Sequence, residues 1–167
     1  MNPSNMNPSK KAAGTGRRGA RVNQVSLVFD SLSENEAFAR MAAAAFIMNM
    51  DPTMDELADV KTAVSEAVTN CVIHGYNGGP GKIYMTCRRE DDVVTIEIID
   101  HGVGIEDIEK AMEPLYTTRP ELERSGMGFA FMEAFMDSLS VQSTPGKGTR
   151  IIMEKMIGRE AAMDEAL

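Results

Sequence analysis

Apolar and polar positions recur along this chain with periods that mark out its elements. Val25, Leu27 and Phe29 alternate with Ser26 and Asp30, which predicts a short strand. Ser33 followed by Glu36 reads as a capping box, after which Phe38, Met41, Ala42, Ala45 and Phe46 recur at helical spacing. Asp51-Pro52-Thr53 ends that helix. Thr53 with Glu56 forms a second capping box, opening a helix whose buried stripe is Leu57, Val60, Val64, Val68 and Cys71, with Gly75 as its stop. After the loop Asn77-Gly78-Gly79-Pro80-Gly81 come two β-like runs, 82–89 and 93–99, joined at Glu90-Asp91-Asp92. A short helix near 105–113, a polar segment from Pro114 to Ser125, a helix from Gly126 to Met136 and strands at 139–143 and 149–155 complete the pattern. Strands adjacent in sequence with helices grouped between them predict a two-layer α/β (α+β) sandwich, helices on one face of a mostly antiparallel sheet.

The 167 residues, 43% of them hydrophobic, suit one globular domain with a real core. No run of eighteen apolar residues suggests a membrane span, and the N-terminus has no apolar signal core, so the expected location is the cytoplasm. Cys71 and Cys87 form no metal or redox spacing, and Cys71 falls on the apolar side of its helix as a packed thiol. The net charge of −8 is uneven: residues 1–22 carry Lys10, Lys11, Arg17, Arg18 and Arg21 with no acid, a balance of +5 that leaves −13 on the rest. An acidic body repels phosphates, so nucleic acid is not an expected partner. The division expected is a disordered basic extension over 1–22, a folded domain over 23–157 and an acidic tail over 158–167.

Three short stretches carry candidate chemistry. In "SEAVTNCVIHGY", Glu66, Asn70 and His74 fall four residues apart and share one side of the second helix, away from its buried stripe. Alone, the trio also fits a solvated polar face. Directly after a strand comes Asp100-His101-Gly102-Val103-Gly104. A carboxylate there can accept a hydrogen bond from the exocyclic amine of adenine, while guanine presents an acceptor and is repelled; Gly102 and Gly104 would let the main chain approach a flat base. A tight turn uses Gly-x-Gly as well. The third stretch, Arg124-Ser125-Gly126-Met127-Gly128, opens a helix whose N–H groups suit a triphosphate, with Arg124 in reach of the terminal phosphate. The segment before it, with Thr117, Thr118 and Arg119, is long enough for a lid and is equally describable as a surface loop.

The order Glu-x-x-x-Asn, Asp-x-Gly-x-Gly, Gly-x-Gly over residues 65–129 resembles the GHKL superfamily of ATP-binding domains, which includes the gyrase ATPases and the histidine kinases. The stretches "SENEAFAR", "DPTMDEL", "SEAVTNCVIHGYN" and "PLYTTRPELERSGMGF" are similar to one branch, the sporulation anti-sigma factors that act on sigma factor F and are serine-protein kinases; this likeness runs from Val25 to Glu154. The resemblance implies ATP and Mg²⁺ as cofactors. It makes Glu66 the general base, Asn70 the Mg²⁺ ligand and Asp100 the reader of adenine. Gly102, Gly104 and Thr149 would line the base, the last of them through water, and Gly126, Met127 and Gly128 would offer donors to the phosphates. His74 reads as a supporting residue. Implied partners are a sigma factor, held in the ATP-bound state, an anti-anti-sigma protein phosphorylated on serine, and a second copy of the chain, with Arg40 as a partner contact. His101 departs from the family pattern, where many relatives carry an acid, and the basic extension has no counterpart in it. Other functions compatible with the motifs are a nucleotide-gated binder without catalysis, an ATPase using water, or a histidine-kinase catalytic domain. Glu66 speaks against the first, and the presence of only His74 and His101 against the last.

Overall fold

Alternating strands bury one face each, and here five of them share a sheet. In the computed structural model, which describes residues 21–116 and 127–158, β1 (Val22–Asp30), β2 (Lys82–Glu90), β3 (Val93–Asp100), β4 (Ser138–Thr144) and β5 (Gly148–Met156) lie in the order β1-β2-β3-β5-β4. Every pair is antiparallel. The inward residues Ile83, Met85, Cys87, Val94, Ile96, Ile98, Ile151 and Met153 are buried, while the opposite face carries Arg88, Glu97, Arg150 and Glu154. Such alternation is what a sheet covered on one side requires.

The helices α1 (Glu34–Ile47), α2 (Met54–Asn70), α3 (Ile108–Met112) and α4 (Gly128–Phe135), with a 3-10 turn at Met48–Met50 and a π-turn at Cys71–Gly75, complete the elements among the described residues, so the two-layer arrangement is as expected. The central helix α2 buries Val60, Ala63, Val64, Ala67 and Val68 on the sheet. Its start is fixed by the foreseen capping box: Thr53 Oγ1 accepts from Glu56 N at 3.1 Å and the Glu56 carboxylate from Thr53 N at 2.9 Å, a device worth about 1 kcal/mol. That same carboxylate accepts the Gly158 N–H at 3.0 Å, tying the end of the described chain to the start of α2.

Two expectations for α1 fail. Ser33 precedes the helix in a helical conformation and its side chain makes no cap. The helix also turns a different face to the core: Ala39, Ala43, Ala44 and Ile47 are buried, whereas Phe38 and Met41 are 58% and 55% exposed and Ala45 is exposed. The sequence ENEAFARMAAAAFI is apolar almost all round, so periodicity alone cannot select a face. The small alanines win because they let α1 approach α2 closely. Next to it, Leu27 packs on the core only in part and Val25 is exposed, because β1 is an edge strand.

Strand and helix ends converge at one rim of the sandwich. There α2 finishes, β3 ends at Asp100, β5 begins at Gly148 and α4 begins at Gly128.

Candidate functional site

The last helical turn before the loop is not α-helical. Residues Cys71–Gly75 form a π-turn, closed by the Tyr76 N–H on the Cys71 carbonyl at 2.9 Å. Such turns carry one extra residue and recur at functional sites. The turn leaves Asn70 as the last residue of α2 and swings Gly75 against the end of β3. Here Glu66 and Asn70 meet α4: a methyl built on Gly128 would stand 3.2 Å from Glu66 Oε2 and 3.3 Å from Asn70 Oδ1. The N-cap residue Met127 makes no side-chain cap, and the first turn of α4 lies beside that carboxylate and amide.

Asp100 is the floor of the site. It is 3% exposed, and its Oδ1 accepts from the Gly102 N–H at 2.9 Å. Burial holds its carboxyl above the usual carboxylate range, opposed by the N–H of Gly102, the Cys71 thiol and the main chain of Thr149. The Cys71 thiol is in turn pushed well up, by burial first and by the Asp100 charge second. Across the sheet, Asp100 pairs with Thr149 and Thr149 with Ser143, which sets three polar residues in one inward row. Thr149 Oγ1 and Ser143 Oγ lie 2.8 Å apart, and Ser143 Oγ also receives the Ile105 N–H and reaches the Gly148 carbonyl.

The two glycines after Asp100 are needed for packing. A side chain on Gly102 would run into the Gly75 carbonyl, and one on Gly104, at φ 75°, into the Thr144 carbonyl. Their lack of a side chain lets the loop close on the π-turn and on the β4–β5 hairpin. Gly104 borders the cavity and Val103 N–H is held by the Gly75 carbonyl at 2.9 Å.

Asn70, Cys71, His74, Asp100, Gly104, Gly128 and Thr149 line one cavity of about 550 Å³, walled on the far side by α3. That volume suits a nucleotide-sized ligand. Glu66 flanks it beside Gly128, and Met127 immediately precedes α4. Thr117, Thr118, Arg119, Arg124, Ser125 and Gly126 lie outside the described residues. Arg40 stands elsewhere, on α1, paired with Glu36 at 3.1 Å. Sequence reasoning missed Ser143, Tyr76 and the contact of Cys71 with Asp100. Cys71 was legible only as part of a buried stripe, and Tyr76 only as an aromatic at the head of a polar loop.

The arrangement offers an acceptor at a buried floor, a carboxylate and an amide one helical turn apart, and the start of a helix opposite them. Comparison with known proteins agrees. The histidine kinase-like ATPase domain family matches residues 29–155. The chain is 59% identical over 138 residues to the anti-sigma F factor of Oceanobacillus iheyensis, covering 82% of this chain and 94% of that protein. With the anti-sigma F factor of Clostridium beijerinckii it shares 60% over 134 residues, 80% and 94% of the two chains. For that of Bacillus licheniformis the values are 54% over 142 residues, 84% and 97%.

Proposed function

We propose that this chain, which belongs to the anti-sigma F factors within the histidine kinase-like ATPase family, binds Mg–ATP, holds a sigma factor in that state, and phosphorylates a serine of an anti-anti-sigma protein. The observation that carries the reading is the approach of the α4 start to Glu66 and Asn70 at one side of a cavity floored by Asp100.

The residues fit both groups. Gly128, with no side chain, leaves the start of α4 close against Glu66 and Asn70 at the edge of the cavity, where phosphate oxygens can meet the first N–H groups of the helix. Among the described residues no group of three His, Cys, Asp or Glu could hold a metal. A magnesium ion that takes most of its ligands from phosphates and water, with one from Asn70, suits such a donor set. When bound, it neutralises phosphate charge and orients the terminal phosphate for in-line attack.

Asp100 accepts from the adenine amine, and Thr149 beside it supplies a second polar group at the same edge of the base. Glu66, at the phosphate end, takes the proton of the attacking serine hydroxyl. The leading N–H groups of α4 stabilise charge on the transferred phosphoryl group. Arg40 contributes to partner binding; the exposed Phe38 and Met41 on the same helix, with exposed Met48 just beyond its end, support α1 as an element that a protein partner covers. The chain acts as a homodimer in the cytoplasm. Among the described residues no helix is long and apolar enough to cross a membrane.

The test is to mix the protein with labelled ATP, the sigma factor and the anti-anti-sigma protein and to follow the phosphate. Label on a serine of the anti-anti-sigma protein is expected. Label released only as free phosphate, or retained on ATP while the sigma factor is still captured, would refute the kinase assignment.

A further inference from the structure

The loop that presents Asp100 is held from behind by a residue outside the cavity. Tyr76 follows the π-turn, and its hydroxyl donates to the Lys82 carbonyl at 2.5 Å while accepting the His101 N–H at 2.8 Å. Those two backbone groups belong to β2 and to the residue that follows β3. The β2–β3 ladder pairs Ile83 with Asp100 at its last rung, so Lys82 and His101 are the residues that would form the next. A direct rung would bring N and O to about 2.9 Å. The phenol instead stands between them and spans the gap with two hydrogen bonds. Strand β3 therefore leaves the sheet at Asp100.

The wedge is built for this place. A side chain on Gly81 would run into the Tyr76 ring, so the ring lies flush against a residue with none. The imidazole of His101 is fixed separately, edge-on to Tyr84 at 5.3 Å between centroids. The hydroxyl thus controls the main chain at His101, and this peptide joins directly to Asp100. The phenol is protonated at neutral pH even at its ordinary value, and burial pushes it further up, so it has a proton to donate to the Lys82 carbonyl.

We infer that Tyr76 is a positioning residue for base recognition: by wedging the ends of β2 and β3 apart it sets the direction of the Asp100 carboxylate, and with it the preference for a purine bearing an exocyclic amine. This rests on the reading of Asp100 as the partner of that amine. Without the hydroxyl, the His101 N–H and the Lys82 carbonyl have either to lose their partners or to close a direct rung. Closing it extends the ladder by one pair and draws Asp100 towards β2, away from the cavity.

The experiment compares ATP with purine riboside 5′-triphosphate, which differs by lacking the amine, in the full chain with Mg²⁺. Wild type should prefer ATP. In Tyr76→Phe, ATP affinity should fall roughly tenfold, the loss of most of a charge-assisted hydrogen bond, and the amine-free analogue should change by less than about twofold. The KM for ATP should rise with little change in kcat. Gly81→Ala, which displaces the ring while keeping the hydroxyl, should collapse the same ratio and decides the matter should Tyr76→Phe not fold. A loss shared equally by the two nucleotides, as a purely structural role predicts, overturns the inference, and so does an unchanged ratio. A wild-type protein that binds both nucleotides equally would instead remove Asp100 as the reader of the amine, and Asp100→Asn, measured alongside, would then be equally indifferent.

Discussion

Gly128→Ala separates the site from the fold, because the two respond in opposite directions. Gly128 opens α4 with ordinary helical handedness, since its φ is not positive. Alanine there is conformationally welcome and gains up to about 1 kcal/mol over glycine in a helix. The added methyl, however, would stand 3.2 Å from Glu66 Oε2, 3.3 Å from Asn70 Oδ1 and 3.5 Å from Asn70 Nδ2. The first two distances are tighter than ordinary contact, so the carboxylate and amide have to give by a few tenths of an ångström. The methyl also occupies the side from which phosphate oxygens would meet the α4 N–H groups. Losing one charge-assisted hydrogen bond costs about 1.5–3 kcal/mol, or roughly ten- to a hundredfold in ATP affinity. Transfer should fall further, because Glu66 is itself displaced; a shift of a few tenths of an ångström costs less than the roughly 10²-fold of a ~1 Å misplacement. Calorimetric titration of Mg–ATP and a thermal melt of the free protein measure both halves. A variant that melts like wild type and binds ATP with wild-type affinity would refute the placement of phosphates at the start of α4.

Glu66→Gln keeps size and helix propensity and removes basicity, so phosphate transfer should fall roughly 10²–10⁴-fold while ATP-dependent capture of the sigma factor persists; transfer at the wild-type rate would end the base assignment. Asp100→Asn should cripple ATP binding by calorimetry without lowering the melting temperature of the free protein. Burial raises the Asp100 pKa on folding, so wild type loses stability as the pH climbs from the ordinary carboxylate value through the raised one. The asparagine variant should match or exceed wild type in melts above that window, with its advantage gone below it; an advantage that grows on acidification would contradict the shift. For wild type, ATP affinity should weaken as the pH falls through the same window, read by titration at fixed ionic strength. A truncated chain beginning near Val22 should keep its melting temperature and kinase rate, since residues 1–20 have no apolar pattern to offset the entropy of ordering them; a large loss of either would mean that the segment docks.

Much of the fold was legible because strands that bury one face must alternate, and β2 and β3 do so throughout, β5 from Thr149 onward. The Thr53–Glu56 box was legible for the same kind of reason, since the bonds run within one turn. Ser33–Glu36 has the same letters and fails, because a cap depends on the φ and ψ of the residue before the helix, which tertiary packing sets. The face of α1 was illegible because apolar residues surround it. Among site residues, the spacing of Glu66 and Asn70 and the position of Asp100 at a strand end follow from local periods. The row Asp100–Thr149–Ser143 follows from sheet order, which places β5 between β3 and β4, and no local pattern encodes that.

The groups at the site share an energetic character that explains why they cluster. A carboxyl with a raised pKa, a helix whose N-cap residue Met127 makes no side-chain cap and a π-turn in place of an α-turn each cost stability in the free protein. On the proposed reading, a ligand with a donor amine at one end and an anion at the other would relieve the first two costs, the amine by bonding to Asp100 and the anion by bonding to the first N–H groups of α4. Such a ligand binds the folded state alone and should raise the melting temperature in proportion to the logarithm of its concentration above Kd. Adenine nucleotides carry both ends and inorganic phosphate carries one. A rise with ATP that far exceeds the rise with an equal free concentration of phosphate is therefore the signature of a site recognised at both ends.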